Sequence, residues 1–234
     1  MCDFLSAIVF KGGRIICQPE LTDSHSDLIA ANNLRDDNIH IRVWVRVELT
    51  PTEHKYLDVD SYSMRLDESS RPDWFDSAAE FDAAEKLRDK IRAMIVTDKR
   101  ALLLGGCWIL GEGADIESAK AARIVAMISS AKVGEMRGSS QVGEMRGSSQ
   151  VGVLRGSSQV GEMRGSSQVG EMRGSSQVGE MWGSSQVGEM RGSSQVGEMW
   201  ENSQVGVLRE NSQVGVLREN SQVVNDFRIK PEAK

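Results

Sequence analysis

Residues 133–141 read VGEMRGSSQ, and this nine-residue unit occurs ten times in succession, ending at Gln222. The first position is valine in every copy, from Val133 to Val214, and Val223 follows the last full unit. The second is always glycine (Gly134 to Gly215), the fourth Met or Leu, the eighth serine and the ninth glutamine. Larger changes are confined to the third (Glu or Val), fifth (Arg or Trp), sixth (Gly or Glu) and seventh (Ser or Asn) positions. A register this strict over 90 residues marks a repeat architecture.

A helix does not explain the pattern. Nine residues advance about 900°, two and a half turns, so successive valines would face opposite sides and no apolar stripe would form. Most copies also carry two glycines, each costing about 1 kcal/mol in a helix interior. A disordered Gly/Ser/Gln linker has no use for Val and Met/Leu at fixed positions. A parallel β-solenoid accounts for every position. In residues 140–148, a short strand over 140–142 turns Ser140 and Val142 inward and Gln141 outward. Gly143 makes a corner, a second short strand over 144–146 points Met145 inward, and Gly147 with Ser148 makes the next corner. In the later copies Glu201 with Asn202 takes that place, asparagine tolerating the left-handed region.

The substitutions set the coil length. Trp182 and Trp200 are 18 residues apart and become stacked neighbours only if two nonapeptides make one coil; a 27-residue coil separates them. With 18 residues per coil, Arg137, Arg155, Arg173, Arg191 and Arg209 form a ladder on the opposite side, and the ten units span roughly 24 Å at ~4.8 Å per coil. Calcium-binding β-rolls share the nine-residue period but need repeated aspartates; these ten units contain none, so no calcium is expected.

Working outward, IVAMISSAK (124–132) places Ile124 and Met127 nine residues before Val133 and Met136, a degenerate unit capping the solenoid. After Val223 the Met position becomes Asp226, and Phe227 and Ile229 are expected to fold over the last coil's open edge. The resulting division is an α+β domain over 1–123, a solenoid over 124–223, and a cap and tail over 224–234.

The N-terminal part predicts a β-hairpin around Lys11-Gly12-Gly13 and a short helix in HSDLIAANNL capped by Asp23 or Ser24. It also predicts a half-buried strand in IRVWVRVEL with Ile41, Val43, Val45, Val47 and Leu49 on one face, and a second strand in YSMRLDE. RPDWF reads as a turn, and 77–96 as a helix with Ala79, Phe81, Leu87, Ile91 and Met94 apolar. ALLLGGCWIL reads as one buried strand and ESAKAARIVAMI as a short helix or a lead-in strand. Helices on one face of an antiparallel sheet follow from that order.

The chain has 234 residues and a formal net charge of −6, which argues against general nucleic-acid coating. The repeat tract is nearly neutral, ten Glu against eight Arg, and so is no acidic mimic of DNA. No apolar run is long enough to span a membrane, and no secretory signal is visible. Three widely spaced cysteines (Cys2, Cys17, Cys107) fit free thiols in a cytoplasmic setting.

Chemical candidates are few. Removal of Met1 would give Cys2 a free α-amine beside its thiol, the arrangement of N-terminal nucleophile hydrolases, although no downstream motif supports it. Asp23 and His25 offer a general base with an orienting carboxylate, yet Thr22-Asp23-Ser24-His25 also reads as a helix N-cap, the favoured account. His40 and His54 are scattered, and Asp58, Asp60, Asp67 and Glu68 fall where solvated strand faces are expected, so no metal and no cofactor are predicted. Gly105, Gly106, Gly111 and Gly113 lack the Gly-Lys-Ser/Thr of a phosphate loop. Two exposed tryptophans, Trp182 and Trp200, flanked by Arg164 and Arg218, make a binding patch with cation–π potential; Arg173 and Arg191 extend the basic surface.

The opening MCDFLSAIV, the TDSH element, RVWVRVELTP and RPDWF, followed by NSQVG-type nonapeptides, resemble a group of bacterial and phage proteins over nearly the whole chain. The resemblance implies an N-terminal domain with a repeat tail of varying copy number and a phage or mobile-element origin; it carries over no catalytic residues. The expectation is a non-enzymatic protein that binds a host protein, including as an inhibitor of a defence or nucleic-acid enzyme, with the solenoid as a rigid spacer beside a recognising N-terminal domain or as the recognition surface itself. Self-association through either part stays open. The alternative is a small hydrolase or transferase using Cys2 or the Asp23/His25 pair.

Overall fold

Lys11, Gly12 and Gly13 reverse the chain between β1 (Leu5–Phe10) and β2 (Ile15–Ile16), pairing Ile8 with Ile16 and Val9 with Ile15. Gly12 and Gly13 hold φ of 92° and 82°, a region closed to most side chains, which is why glycine stands there. The computed structural model describes residues 5–22, 24–35 and 43–228, in two units that divide between Met94 and Ile95.

In the first unit β3 (Trp44–Thr50) runs antiparallel to β1, and β4 (Ser63–Leu66) antiparallel to β3, giving the order β2-β1-β3-β4. β1 is buried on both faces, so both are covered. On one, Ile8, Phe10 and Trp44 pack with Leu28 of α1 (His25–Ala31), whose N-cap is Ser24. On the other, Leu5, Ala7, Val9, Val45, Val47 and Leu49 are shielded from solvent. There α2 (Ser77–Met94) supplies a buried stripe of Ala83, Leu87 and Ile91, and Val9 lines a surface cleft with Ala79 and Asp82. The helices therefore lie on both faces of the sheet, not one. Phe81, expected in the stripe, is 68% exposed, and Val43 lies outside β3 with its side chain in solvent. Ile41 lies outside the described residues.

The solenoid begins at Ile95, well before the boundary expected near residue 123. Its first strands are β5 (Ile95–Val96), β6 (Lys99–Leu104), β7 (Cys107–Leu110), β8 (Asp115–Lys120), β9 (Arg123–Met127) and β10 (Lys132–Arg137). From β11 (Gln141–Met145) to β20 (Gln222–Asp226) each nonapeptide adds one strand. ALLLGGCWIL is thus not one buried strand. Gly105 and Gly106, both at positive φ, turn a corner inside it, and Leu102 and Leu104 face solvent. ESAKAARIVAMI takes the strand alternative, divided between β8 and β9.

Even-numbered strands from β6 and odd-numbered strands from β5 make two eight-stranded sheets, parallel throughout. Within the repeat each strand pairs with residues 18 further on, Val142 with Val160 and Met145 with Met163, so one coil is two nonapeptides, and the solenoid makes about seven coils. Val and Met or Leu rows from both sheets fill a single core that extends back to Val96 and Leu103. The degenerate unit joins as expected, Ile124 under Val142 and Met127 under Met145.

Each nonapeptide holds one five-residue strand and one corner, not the two strands and two corners expected. Val142 and Met145 are three residues apart, and regular alternation would send them to opposite faces. Both point inward because the alternation is reset at Gly143, which takes no part in the ladder that joins Val142 and Glu144 to their partners. A Cβ on Gly143 would come within 2.6 Å of the Val125 carbonyl oxygen in the coil before, so the regular units keep glycine here, while Glu117, Val125 and Val224 hold the position at the two ends of the solenoid.

At the corner Gly147 has φ 67°. Where the repeat changes, the left-handed residue is glutamate: Glu201, Glu210 and Glu219 have φ of 55–57°, and the adjacent asparagines do not take that role. Such a backbone costs a non-glycine residue roughly 1–2 kcal/mol. Two of these carboxylates offset it by accepting backbone N–H bonds one coil back, Glu210 from Gly192 at 2.6 Å and Glu219 from Glu201 at 3.1 Å. At the far end Asp226 occupies the Met/Leu row beside Leu208. Phe227, one coil above Arg209 and against its guanidinium, is 60% exposed and does not close the last coil; Ile229 lies outside the described residues.

Candidate interaction surface

The strands ending at Met181 and Met199 deliver Trp182 and Trp200 to the same corner of neighbouring coils in the odd-numbered sheet. Their ring centroids are 4.7 Å apart and the planes 3° from parallel. That is the spacing of hydrogen-bonded strands, so the backbone ladder dictates the stack. Arg164 lies one coil below, its Cζ 5.5 Å from the Trp182 ring, and Arg218 one coil above, 4.4 Å from the Trp200 ring. The four residues form one column, cation–indole–indole–cation, with the ring faces covered from within and the edges presented outward. Both tryptophans are half-buried, not exposed as expected from sequence.

Charge around the column is paired. Glu162 accepts from Arg164 Nε at 2.8 Å, Glu180 from Trp182 Nε1 at 2.8 Å, and Glu198 lies 3.4 Å from Arg218. Beside this glutamate row the same sheet carries a trough of about 480 Å³. Its floor is the glycine row Gly143, Gly161, Gly179 and Gly197, flanked by the outward glutamines. Arg173 and Arg191 belong to the even-numbered sheet, in the ladder opposite. There Glu171 holds Arg173, and Glu189 bridges Arg191 and Arg209. The six residues singled out from sequence therefore fall on two surfaces. Hydrogen bonds from Arg191 foremost, and from Arg209, hold the Glu189 carboxyl below the ordinary glutamate range against the opposing effect of burial.

The N-terminal candidates separate differently. Cys2 and Asp23 lie outside the described residues, while Cys17 and Cys107 are buried. Ser24 caps α1, accepting from the Asp27 backbone, as the capping account requires. His25 is buried, with Nε2 2.9 Å from the Val47 carbonyl oxygen and Nδ1 3.1 Å from Asp67 Oδ2. A general base needs a ring nitrogen turned toward substrate; both nitrogens of His25 face protein acceptors. Asp67 is half exposed, but Glu68 is not on a solvated face. Glu68 is buried against Arg46, accepting from its backbone N–H at 3.0 Å and its guanidinium at 3.1 Å. Arg65 reaches buried Glu48 at 2.6 Å. Sequence reasoning passed over Glu48, whose only signal was a charge within the alternating apolar run of β3.

No protein-family model, curated protein or solved structure matches the chain. No helix among the described residues is long and apolar enough to cross a membrane.

Proposed function

We propose that the chain is a non-enzymatic interaction protein of phage or mobile-element origin that binds a host protein through its solenoid. The origin follows from the sequence resemblance alone. The recognition reading is supported chiefly by one observation: the arginine row at the fifth repeat position is broken only by Trp182 and Trp200, which stack between Arg164 and Arg218. Tryptophan and arginine are the residues most enriched where partner proteins bind tightly, and a surface fixed by strand hydrogen bonds loses little freedom on binding. The neighbouring trough of glycine backbone and glutamine amides supplies polar contacts along the same sheet.

The test restores the repeat's own residue. Trp182→Arg with Trp200→Arg returns both positions to the residue found in the other eight copies, so the coil is retained while the aromatic pair is lost. Cross-linked capture from host lysate should yield a partner with the wild-type chain and not with the double variant. Equal capture by both moves recognition away from the column, and the reading fails.

A further inference from the structure

Three side chains that the interaction reading leaves unused converge where α1 meets the sheet. His25 is 5% exposed and Glu48 4%, while Asp67, just after β4, is half exposed. One ligand-type atom from each lies within 4.8 Å of the others. All three sit on anchored backbone. Ser24 caps the helix that begins at His25, β3 is paired on both sides, and the Asp67 N–H donates to the Arg46 carbonyl at 2.9 Å.

The hydrogen bonding of His25 fixes which nitrogen is presented. A carbonyl oxygen only accepts, so Nε2 carries its proton toward Val47. In the neutral ring the lone pair then sits on Nδ1, 3.1 Å from a carboxylate oxygen that also bears lone pairs. A positive centre must lie between them. A proton on Nδ1 satisfies one carboxylate oxygen, whereas a divalent cation satisfies all three donors. Two ligands at about 2.0–2.1 Å in a tetrahedral shell lie roughly 3.3 Å apart, close to the observed separation. Metal-binding histidines characteristically donate their other N–H to a backbone carbonyl, as His25 does, and their carboxylate co-ligands are held by outer hydrogen bonds, as Glu48 is by Arg65.

We propose that His25 Nδ1, Glu48 and Asp67 form a binding site for a divalent transition metal of the zinc class, joining α1 to β3 and to the end of β4. An imidazole with two carboxylates suits zinc, whereas calcium takes an all-oxygen shell. The exposure of Asp67 leaves the fourth position to water.

The probe is zinc(II), titrated calorimetrically into full-length chain stripped with chelator. One zinc per chain is expected, and Asp67→Asn should weaken binding by about tenfold or more with an unchanged circular dichroism spectrum. Nitrogen-15 NMR of the wild-type imidazoles gives a readout independent of any variant: zinc should move the His25 Nδ1 resonance and leave Nε2 protonated. Absence of binding, binding unaffected by Asp67→Asn, or an unmoved Nδ1 resonance would each overturn the proposal, the last leaving a proton as the bridging charge.

Discussion

The indoles of Trp182 and Trp200 stack face to face because the strands beneath them are one hydrogen-bonded register apart. Offset-stacked aromatic pairs favour centroid separations of about 4.5–7 Å, so the spacing set by the ladder suits the rings it carries. A double-mutant cycle of Trp182→Ala and Trp200→Ala, read by urea denaturation, should give a coupling of about 0.5–1.5 kcal/mol. Zero coupling would mean that the rings are only carried by the strands.

The two glycines of the repeat serve different ends and should fail differently. Gly161 sits where a Cβ would approach the Gly143 carbonyl oxygen at 2.5 Å, while Gly165 occupies a corner at φ 69°. Gly165→Ala meets the left-handed backbone cost, roughly 1–2 kcal/mol, which Glu201 also tolerates, and a milder Cβ contact of 3.1 Å with the Gly147 carbonyl oxygen. Gly161→Ala must force two coils apart and should cost more than that, as overpacking does. Thermal unfolding of the two variants ranks them, and equal losses would contradict the role given to the strand glycine.

The serine row is buried from Ser140 to Ser212, yet its hydroxyls are not equivalent. Ser140 Oγ donates to the Arg137 carbonyl at 2.8 Å, whereas Ser176 Oγ and six like it have no hydrogen-bond partner. Ser140→Ala should therefore lower stability by about 1 kcal/mol, and Ser176→Ala should leave it unchanged or raise it. Differential scanning calorimetry separates the two outcomes.

Acid should act partly through Glu189. Its carboxyl is held below the unfolded-state range by Arg191 and then Arg209, so its contribution is fully present above the unfolded value near 4.5 and disappears as pH falls through the folded value. Melting temperature followed from pH 7 to about pH 3 should fall less steeply below pH 4.5 in Glu189→Gln than in wild type, and the difference should shrink in high salt. Parallel curves would show that the bridge adds nothing to stability.

The coil length was legible because substitutions broke the repeat's symmetry: without Trp182 and Trp200, two and three units per coil fit equally well. The inward rows at Ser140, Val142 and Met145 were legible for the same reason that any strict pattern is. The early coils were not, because Leu103, Leu110, Ile116 and Ala119 keep the inward positions while nothing around them keeps the Gly and Gln that mark the unit. The reset at Gly143 was hidden too, since a corner and an in-strand kink both call for glycine. The cluster of His25, Glu48 and Asp67 had no spacing signal, for it is assembled by the pairing of β3 with its neighbours and by a helix cap.

Asp226 places a carboxylate in the row that Leu208 and its predecessors fill with apolar side chains, at the last strand of its sheet. Arg228 holds it with Nε 2.8 Å and Nη2 2.5 Å away. Beyond it no further strand pairs with β20 among the described residues, and Val224 and Phe227 are exposed. A charge at an inward edge position is a recognised guard against further strand addition. Replacing Asn225 and Asp226 by Val and Leu, the residues found at 216 and 217, removes that guard and gives the end of the solenoid the composition of its interior. The double variant should elute as a larger species than wild type at equal concentration by light-scattering chromatography, increasingly so as concentration rises. If it elutes with wild type at every concentration, solvation of the edge rather than the Asp226 charge keeps the solenoid ends apart.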